Sequence, residues 1–254
     1  MAKRTSRAAA PASDSYREES AVHPLFASPA TRWDPLGPRG DERRRAQSYI
    51  RKVKPQSANQ QHLMEAIRDH ALVLALGPAG TGKTYLAISS AVEALEEGKV
   101  DRIVLSRPAV EAGESIGYLP GDLHEKMAPF LRPLYDALSD RLGGKRLRQL
   151  MTEGVIEIAP VGFMRGRTLN NAFVVIDEAQ NCTYSQIKML LTRLGWHSTM
   201  VLTGDPDQTD LLDNLSGLSD IARRLEAAPG IAVVRLEDRD IVRHPLVAAM
   251  LPLL

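Results

Sequence analysis

The segment GPAGTGKT, residues 77–84, matches the complete pattern of a phosphate-binding loop. Its glycines allow backbone N–H groups to surround a phosphate chain, and the N-terminus of a following helix adds its dipole. In this pattern Lys83 reaches the β- and γ-phosphates and Thr84 ligates magnesium. A chance glycine-rich turn is disfavoured, because a strand-like apolar run precedes the loop and a helix-forming run follows it. The predicted nucleotide-binding residues of this segment are Gly77, Pro78, Ala79, Gly80, Thr81, Gly82, Lys83, Thr84 and Tyr85.

Two adjacent acids, Asp177 and Glu178, follow the apolar run FVVI. Nucleotide hydrolysis needs a second magnesium anchor and a group that orients the attacking water. Asp177 is predicted to hold the magnesium shell, and Glu178, on the other side of an extended chain, to polarise water. The alternative is that both acids cap the strand. Gln180 and Asn181 come next and suit contact with a second ligand or a neighbouring subunit, or alternatively a capping turn.

The segment GDPDQTD, residues 204–210, places three carboxylates around Gln208. A calcium-binding EF-hand is disfavoured, because its loop needs a glycine at the sixth position and this segment lacks it. Gln208 is predicted to contact the γ-phosphate and sense its presence, since an amide can donate to phosphate and accept from water. Asp205 is predicted to fix the turn or to reach the water shell of the magnesium ion. A plain polar turn is the alternative.

Six short apolar runs alternate with helix-forming segments such as TYLAISSAVEALEEG and YSQIKMLLTRLG. The runs are apolar on both faces, which is typical of parallel strands covered by helices. An α/β domain follows, with ligands at the carboxyl ends of the strands. The six predicted strands are Ala71–Leu76, Arg102–Ser106, Val155–Ala159, Phe173–Asp177, Met200–Thr203 and Ile231–Leu236.

Composition divides the chain of 254 residues into two parts. Residues 1–45 are predicted to be a disordered basic tail, and residues 46–254 to form the domain with the phosphate-binding loop. Twelve basic and six acidic residues precede Pro55, so the tail either contacts nucleic acid or is a solvated extension. No apolar run approaches the length of a membrane span, and a cytoplasmic location without membrane contact is expected. The single cysteine, Cys182, excludes an intramolecular disulfide.

The sequence resembles the PhoH family, which are ATPases with a single RecA-like core related to superfamily 1 helicases. The resemblance runs from about Lys54 to Val247. It is carried by GPAGTGKTYLA, SRPAVEAGESIGYLPGDLHEKMAPFLRPLYDAL, IEIAPVGFMRGRTLNNAFVVIDEAQN, QIKMLLTRLG, TGDPDQTDL and DIVRHPLV. The resemblance implies a single RecA-like P-loop NTPase domain with a mostly parallel sheet sandwiched by helices. It also implies ATP and Mg²⁺ as ligands, and a hexamer.

The resemblance assigns roles that spacing alone does not establish. Gln60, in NQQHLMEAI, is similar to the adenine-recognising residue of the family, although the segment alone reads as an ordinary amphipathic helix start. Arg107, and Arg165 and Arg167 in MRGRT, lie in family motifs near the nucleotide or the subunit junction. Arg243, in DIVRHP, is a candidate γ-phosphate or interface arginine. The guanidinium fork suits phosphate and carboxylate partners, and surface salt bridging is the alternative for each arginine.

These observations predict a magnesium-dependent ATPase. A single RecA-like domain supplies one wall of a helicase-like site, so a neighbouring subunit of a hexameric ring would supply the other. The loop 109–122 and the segment after Gln208 are predicted to bind single-stranded RNA, or with less support DNA. Leu212 stands where many relatives have proline, which puts the path of that segment in question. The predicted catalytic residues are Lys83, Arg165, Arg167, Glu178, Gln208 and Arg243, and the predicted magnesium ligands are Thr84 and Asp177.

Two other classes of function remain open at this point. One is a nucleotide-gated regulatory or assembly module with a protein partner, which would show little polymer-stimulated turnover. The other is a small-molecule phosphotransferase, disfavoured because Asp177, Glu178 and Gln208 suit the activation of water better than transfer to a bound acceptor. The net acidic core and the single aromatic residue of the loop 109–122, Tyr118, give nucleic-acid binding no direct support.

Overall fold

The computed structural model describes residues 53–108, 123–211, 215–242 and 250, without the side chains of residues 123–129. The predicted tail, the loop 109–122, Leu212 and Arg243 lie outside this description. The strands are β1 (Leu72–Leu76), β2 (Arg102–Arg107), β3 (Ile156–Pro160), β4 (Ala172–Ile176), β5 (Thr199–Gly204) and β6 (Ile231–Arg235). The α-helices are α1 (Ala58–Asp69), α2 (Lys83–Glu96), α3 (Leu123–Leu142), α4 (Gly144–Thr152), α5 (Tyr184–Leu191) and α6 (Leu218–Leu225).

The strands form one sheet in the order β3-β2-β4-β5-β1-β6, and each pair of neighbours is parallel. The predicted α/β fold is therefore confirmed. The carboxyl ends of β4, β5 and β1 lie side by side, with Leu76 opposite Gly204 and Ile176 opposite Leu202. The three loops with predicted chemistry leave these three strands. They consequently emerge next to one another at the same edge of the sheet.

Two apolar layers cover the sheet. On β1, Val73 and Ala75 pack with buried residues of α1 to α4, whereas Leu74 and Leu76 face the buried residues of α5 and α6. Both faces of the inner strands are removed from water, which explains why their sequences are continuous apolar runs rather than alternating ones. Each fully buried leucine or valine contributes about 1.5–3 kcal/mol. No helix in the described part of the chain is long and apolar enough to cross a membrane.

Helix boundaries follow local hydrogen-bonding signals. Ser57 caps α1 by accepting from the backbone N–H of Gln60, and Thr183 forms a capping box with Gln186 at the start of α5. Helix α4 is absent from the sequence-based prediction. It has nine residues and buries only Leu147 and Leu150, so its apolar pattern is too short to identify it.

Cys182 lies in the core between the sheet and helices α5 and α6, without solvent exposure. Burial raises the pKa of its thiol to about 12, so the reactive thiolate is absent at neutral pH. We expect the folded protein to resist a thiol-specific reagent in neutral buffer. The measurement is the release of the coloured product of Ellman's reagent, with the protein in concentrated guanidinium as the fully reactive control. Fast labelling of the native protein would contradict this position for Cys182.

Candidate nucleotide-binding site

The phosphate-binding loop connects β1 to α2. Gly80 and Gly82 have φ of +84° and +85°, a left-handed conformation that strains other residues, and Gly82 is the N-cap of α2. The first N–H groups of a helix have no partner within the helix, and here they follow directly on the glycine-rich turn. Donors of this kind at a helix N-terminus bind phosphate and other anions.

A cavity of about 270 Å³ lies at the carboxyl ends of β1, β4 and β5. Its lining combines the phosphate-binding loop with acids, a threonine and amides from the other two strand ends. The structure therefore brings Lys83, Thr84, Asp177, Glu178 and Gln208 together, as the sequence-based prediction requires. The residues that line the cavity are Ala79, Gly82, Lys83, Thr84, Tyr85, Asp177, Glu178, Gln180, Thr203, Gly204, Asp205 and Gln208.

Lys83 is only 8% exposed, and its ammonium group donates to the carbonyl oxygens of Gly77 and Pro78, the latter at 2.7 Å. Burial lowers the pKa of Lys83, while the charges of Asp205, Glu178 and Asp177 act against that change. The nearby carboxylates therefore favour the charged ammonium form in the cavity. A phosphate group could take the place of the two carbonyl oxygens as its partner.

Asp177 is 3% exposed and lies at the centre of the hydrogen bonds in the cavity. Its Oδ1 accepts from the hydroxyl of Thr84 at 2.6 Å and from the hydroxyl of Thr203 at 2.7 Å. Hydroxyl and carboxylate oxygens are the ligands that Mg²⁺ prefers, so Thr84 and Asp177 fit the predicted metal. Thr203 is missing from the predicted site. The available signal is that it is a hydroxyl residue at the end of an otherwise apolar strand.

Glu178 has a left-handed backbone, with φ of +53° and ψ of +42°. The prediction that it lies in an extended chain is therefore wrong, because β4 ends at Ile176. Both acids instead line the same cavity. A left-handed non-glycine residue costs about 1–3 kcal/mol and is maintained only when its surroundings fix it. Here the carboxylate accepts from the side chain of Gln180 and lies 3.5 Å from the guanidinium of Arg107.

Gln180 and Asn181 join the loop after β4 to the loop after β5. The side-chain oxygen of Gln180 accepts from the backbone N–H of Asp205 at 3.1 Å. Asn181 exchanges two hydrogen bonds of 2.8 Å with Asp210, one with its carboxylate and one with its backbone N–H. Both amides are buried. Their polar groups therefore bind within the chain, and their contact with a second ligand or a neighbouring subunit stays a prediction.

Gly204 permits this junction of the two loops. A Cβ atom at this position would lie 2.7 Å from the side-chain oxygen of Gln180 and 2.6 Å from Cδ2 of Leu218. Within the following turn, Asp205 accepts from the backbone N–H of Asp207, and the backbone N–H of Gln208 donates to the carbonyl of Asp205. Asp205 thus fixes the turn that presents Gln208 to the cavity.

Several predicted site residues do not line the cavity. Gln60 is buried, and its side chain donates to the carbonyl of Thr81 and accepts from the backbone of Gln56. Arg107 lies 3.5 Å from both Asp177 and Glu178. Two arginines lie elsewhere: Arg165 is exposed, and Arg167 forms a two-pronged ion pair with Glu157, with both N–O distances at 2.6 Å. Hydrogen bonding to Glu157 raises the pKa of Arg167.

The fold and this cavity define a P-loop NTPase with an α/β core. Residues 52–254 match the family model described as PhoH-like protein, and the chain belongs to this family.

Curated relatives agree with the family assignment. A PhoH-like protein of Bacillus subtilis (strain 168) is 52% identical over 200 residues, which are 78% of this chain and 63% of that protein. Protein PhoH of Escherichia coli (strain K12) is 46% identical over 190 residues, 74% of this chain and 54% of that protein. The chain spans less than two thirds of either relative. The solved large terminase of a thermophilic bacteriophage aligns over 78% of this chain and 50% of that chain, with 12% identity and a TM-score of 0.49.

The junction of the two loops can be tested by stability. Asp210→Ala removes the acceptor of the Asn181 side chain, which is buried, so we expect a loss of about 1–3 kcal/mol in the free energy of unfolding. Asp207→Ala is the matched control. It removes the same charge from the same exposed turn without touching Asn181, and should change stability by at most about 0.5 kcal/mol. Urea unfolding measures both, and equal losses would contradict the junction.

Proposed function

We propose that this protein is a magnesium-dependent ATPase that couples hydrolysis to the remodelling of single-stranded RNA. The observation that carries the proposal is the convergence of Lys83, Thr84, Asp177, Glu178 and Gln208 on one cavity at adjacent strand ends. Together they supply a phosphate cradle, two metal ligands, a base and an amide sensor, which are the parts that phosphoryl transfer to water needs. ATP is proposed as the substrate from the resemblance to the ATPases of the family.

Each side chain of the cavity has its own role in the proposed hydrolysis. Thr84 and Asp177 would hold Mg²⁺, which when bound compensates the charge on the β- and γ-phosphate oxygens. Lys83 exchanges its bonds to the loop carbonyls for phosphate oxygens. Glu178 orients a water molecule for attack on the γ-phosphorus and accepts its proton. The bond from the γ-phosphorus to the β–γ bridging oxygen breaks, and ADP and phosphate are the products. Gln180 holds the carboxylate of Glu178 in place while this happens.

Arg107 has a separate role in this proposal. Its guanidinium lies 3.5 Å from both Asp177 and Glu178. It therefore reduces the repulsion between these two acids before the nucleotide arrives. The long side chain can then turn towards the γ-phosphate, whose charge is greater than that of either acid alone.

Hydrolysis is proposed to change the segment after Gln208. Gln208 lies in a turn fixed by Asp205, and that turn is bonded to Gln180 beside the catalytic base. Loss of the γ-phosphate removes the partner of the Gln208 amide, and the loop that follows is released. The released loop and residues 109–122 are the proposed contacts with RNA.

A hexameric ring would add an arginine from a neighbouring subunit to this cavity. Among the described residues that line the cavity, Lys83 is the only cation. Phosphoryl transfer is often accelerated by an arginine donated from a neighbouring protein. Arg165 is exposed and thus available to the next subunit, whereas the guanidinium of Arg167 is bound to Glu157 and positions the loop after β3. We propose Arg165 as the arginine that acts between subunits.

The catalytic base can be tested directly. Glu178→Gln keeps the size of the side chain but replaces one carboxylate oxygen by an NH2 group and cannot accept a proton, so turnover of ATP should fall by at least about 100-fold. Binding of ATP should be retained, because Glu178 does not hold the phosphates. Phosphate release measures turnover and calorimetry measures binding, with the exposed Glu96→Gln as control. Persistent turnover in Glu178→Gln would remove Glu178 from this role.

The polymer can be identified by comparing rates of ATP turnover. We expect single-stranded RNA to raise the steady-state rate more than single-stranded DNA or duplex does. Light scattering with and without ATP should show six subunits per particle, and Arg165→Ala should retain the hexamer but lose the stimulated rate. If no polymer stimulates turnover, RNA remodelling is wrong. ATP-dependent assembly without stimulation would then favour a nucleotide-gated module with a protein partner.

A further inference from the structure

Asp240 is a buried acid that the proposed mechanism does not use. It belongs to a short 3₁₀ helix, Asp238–Asp240, that follows β6, and it is only 3% exposed. Its carboxylate accepts from the side chain of Asn59 at 2.8 Å and from the backbone N–H of Glu237 at 2.7 Å. The hydroxyl of Ser57 also contributes to lowering the pKa of Asp240. Asp240 therefore binds the first turn of α1 to the turn after β6.

The first turn of α1 is also hydrogen-bonded to the phosphate-binding loop. Ser57, the N-cap of this helix, accepts from the backbone N–H of Gln60 at 3.2 Å. The side chain of Gln60 then donates to the carbonyl of Thr81 at 3.0 Å. Asp240 holds Asn59, the residue next to Gln60, and is thus connected to the loop through the first turn of α1.

The turn after β6 also reaches the phosphate-binding loop directly. The backbone N–H of Val242 donates to the carbonyl of Gly80 at 3.0 Å. Two consecutive carbonyls of the loop, those of Gly80 and Thr81, are consequently held from outside the loop. One is held by the turn after β6 and the other by α1, and Asp240 joins these two supports.

Holding these carbonyls also sets the direction of the N–H groups that bind phosphate. In a planar trans peptide the C=O and the N–H point in opposite directions. The carbonyl of Gly80 shares its peptide with the N–H of Thr81, and the carbonyl of Thr81 shares its peptide with the N–H of Gly82. Fixing both carbonyls outward therefore aims two N–H groups the other way, and Gly82 lines the cavity.

The surroundings of Asp240 favour the charged form of its carboxylate. Burial alone would raise the pKa of Asp240, but hydrogen bonds from Ser57, Glu237 and Asn59, together with the charge of Arg239, hold it below its ordinary value. A charged acceptor forms stronger hydrogen bonds than a neutral one.

We propose that Asp240 is a positioning residue for nucleotide binding: it locks the first turn of α1 to the turn after β6 and so holds two peptides of the phosphate-binding loop ready for phosphate. This inference rests on the proposed binding of a nucleotide at that loop. It also gives Gln60 a role that is independent of the base. The loss of affinity in an Asp240 variant should then be the same for adenine and guanine nucleotides.

The experiment measures the Kd of ADP and of GDP by calorimetry, well below the Tm of each variant. Asp240→Ala should raise the Kd of both nucleotides by about tenfold, because the hydrogen bonds to a charged carboxylate are lost. Asp238→Ala is the matched control, because Asp238 is an exposed acid of the same turn. Its Kd values should stay within about twofold of those of the unmodified chain. Asp240→Asn keeps one acceptor oxygen, so its loss should be intermediate, and it serves as the second variant if Asp240→Ala does not fold.

Three results with the variants would overturn the proposal. If Asp240 only stabilises the fold, the Tm falls in Asp240→Ala and in Asp240→Asn, while the Kd of the folded protein for nucleotide is unchanged. If the loss is confined to ADP, the support acts on the base rather than on the phosphates. If the losses from Asn59→Ala and Asp240→Ala add fully in the double variant, the two residues do not act through their shared bond. Failure of the unmodified chain to bind any nucleotide would overturn the proposed function as well, whereas normal binding by the unmodified chain and by Asp240→Ala would overturn this inference alone.

Discussion

The carboxylate of Asp177 is the contact on which the geometry of the cavity depends. It follows β4, and one of its oxygens accepts from Thr84 at the start of α2 and from Thr203 on β5. Parallel strands bring their carboxyl ends to one edge, but that arrangement alone leaves the connecting loops free to separate. A buried carboxylate is costly unless donors surround it, so the folded state requires both hydroxyls at this position. The same contact therefore fixes three elements and arranges the oxygens that suit a metal.

The sheet was predictable because its four inner strands, β1, β2, β4 and β5, are buried on both faces. A run such as LVLAL cannot expose either face without loss of apolar burial, so its position follows from composition alone. Helix α4 was not predicted, because it has few apolar residues. Its sequence, GKRLRQLMT, is largely polar, and two buried leucines are enough to hold it against a core that other elements have already formed. Long-range packing, which a local pattern does not record, decides such an element.

The site was predictable in its residue types but not in its connections. Motif spacing identified the phosphate-binding loop, the acid pair and Gln208, since each must occur at a fixed place after a strand. The partner of Gln180 is 25 positions away along the chain, and Asn59 and Asp240 are 181 positions apart. No local pattern encodes such distances. The left-handed backbone of Glu178 is likewise a product of the contacts around it, because the residue type alone disfavours that conformation.

The distribution of buried polar groups separates the rigid parts of the site from those able to move. Among the side chains that the structure describes, twelve polar or charged ones are buried, and nine of them surround the phosphate-binding loop or the two loops beside it. Asp177 anchors one side of this region and Asp240 the other, and each accepts several hydrogen bonds. Displacing either acid would leave buried donors unpaired, which disfavours movement there. Gln208 and Arg165, by contrast, are exposed. The phosphates would therefore bind to a preformed surface, while changes in nucleotide state act on the groups at its rim.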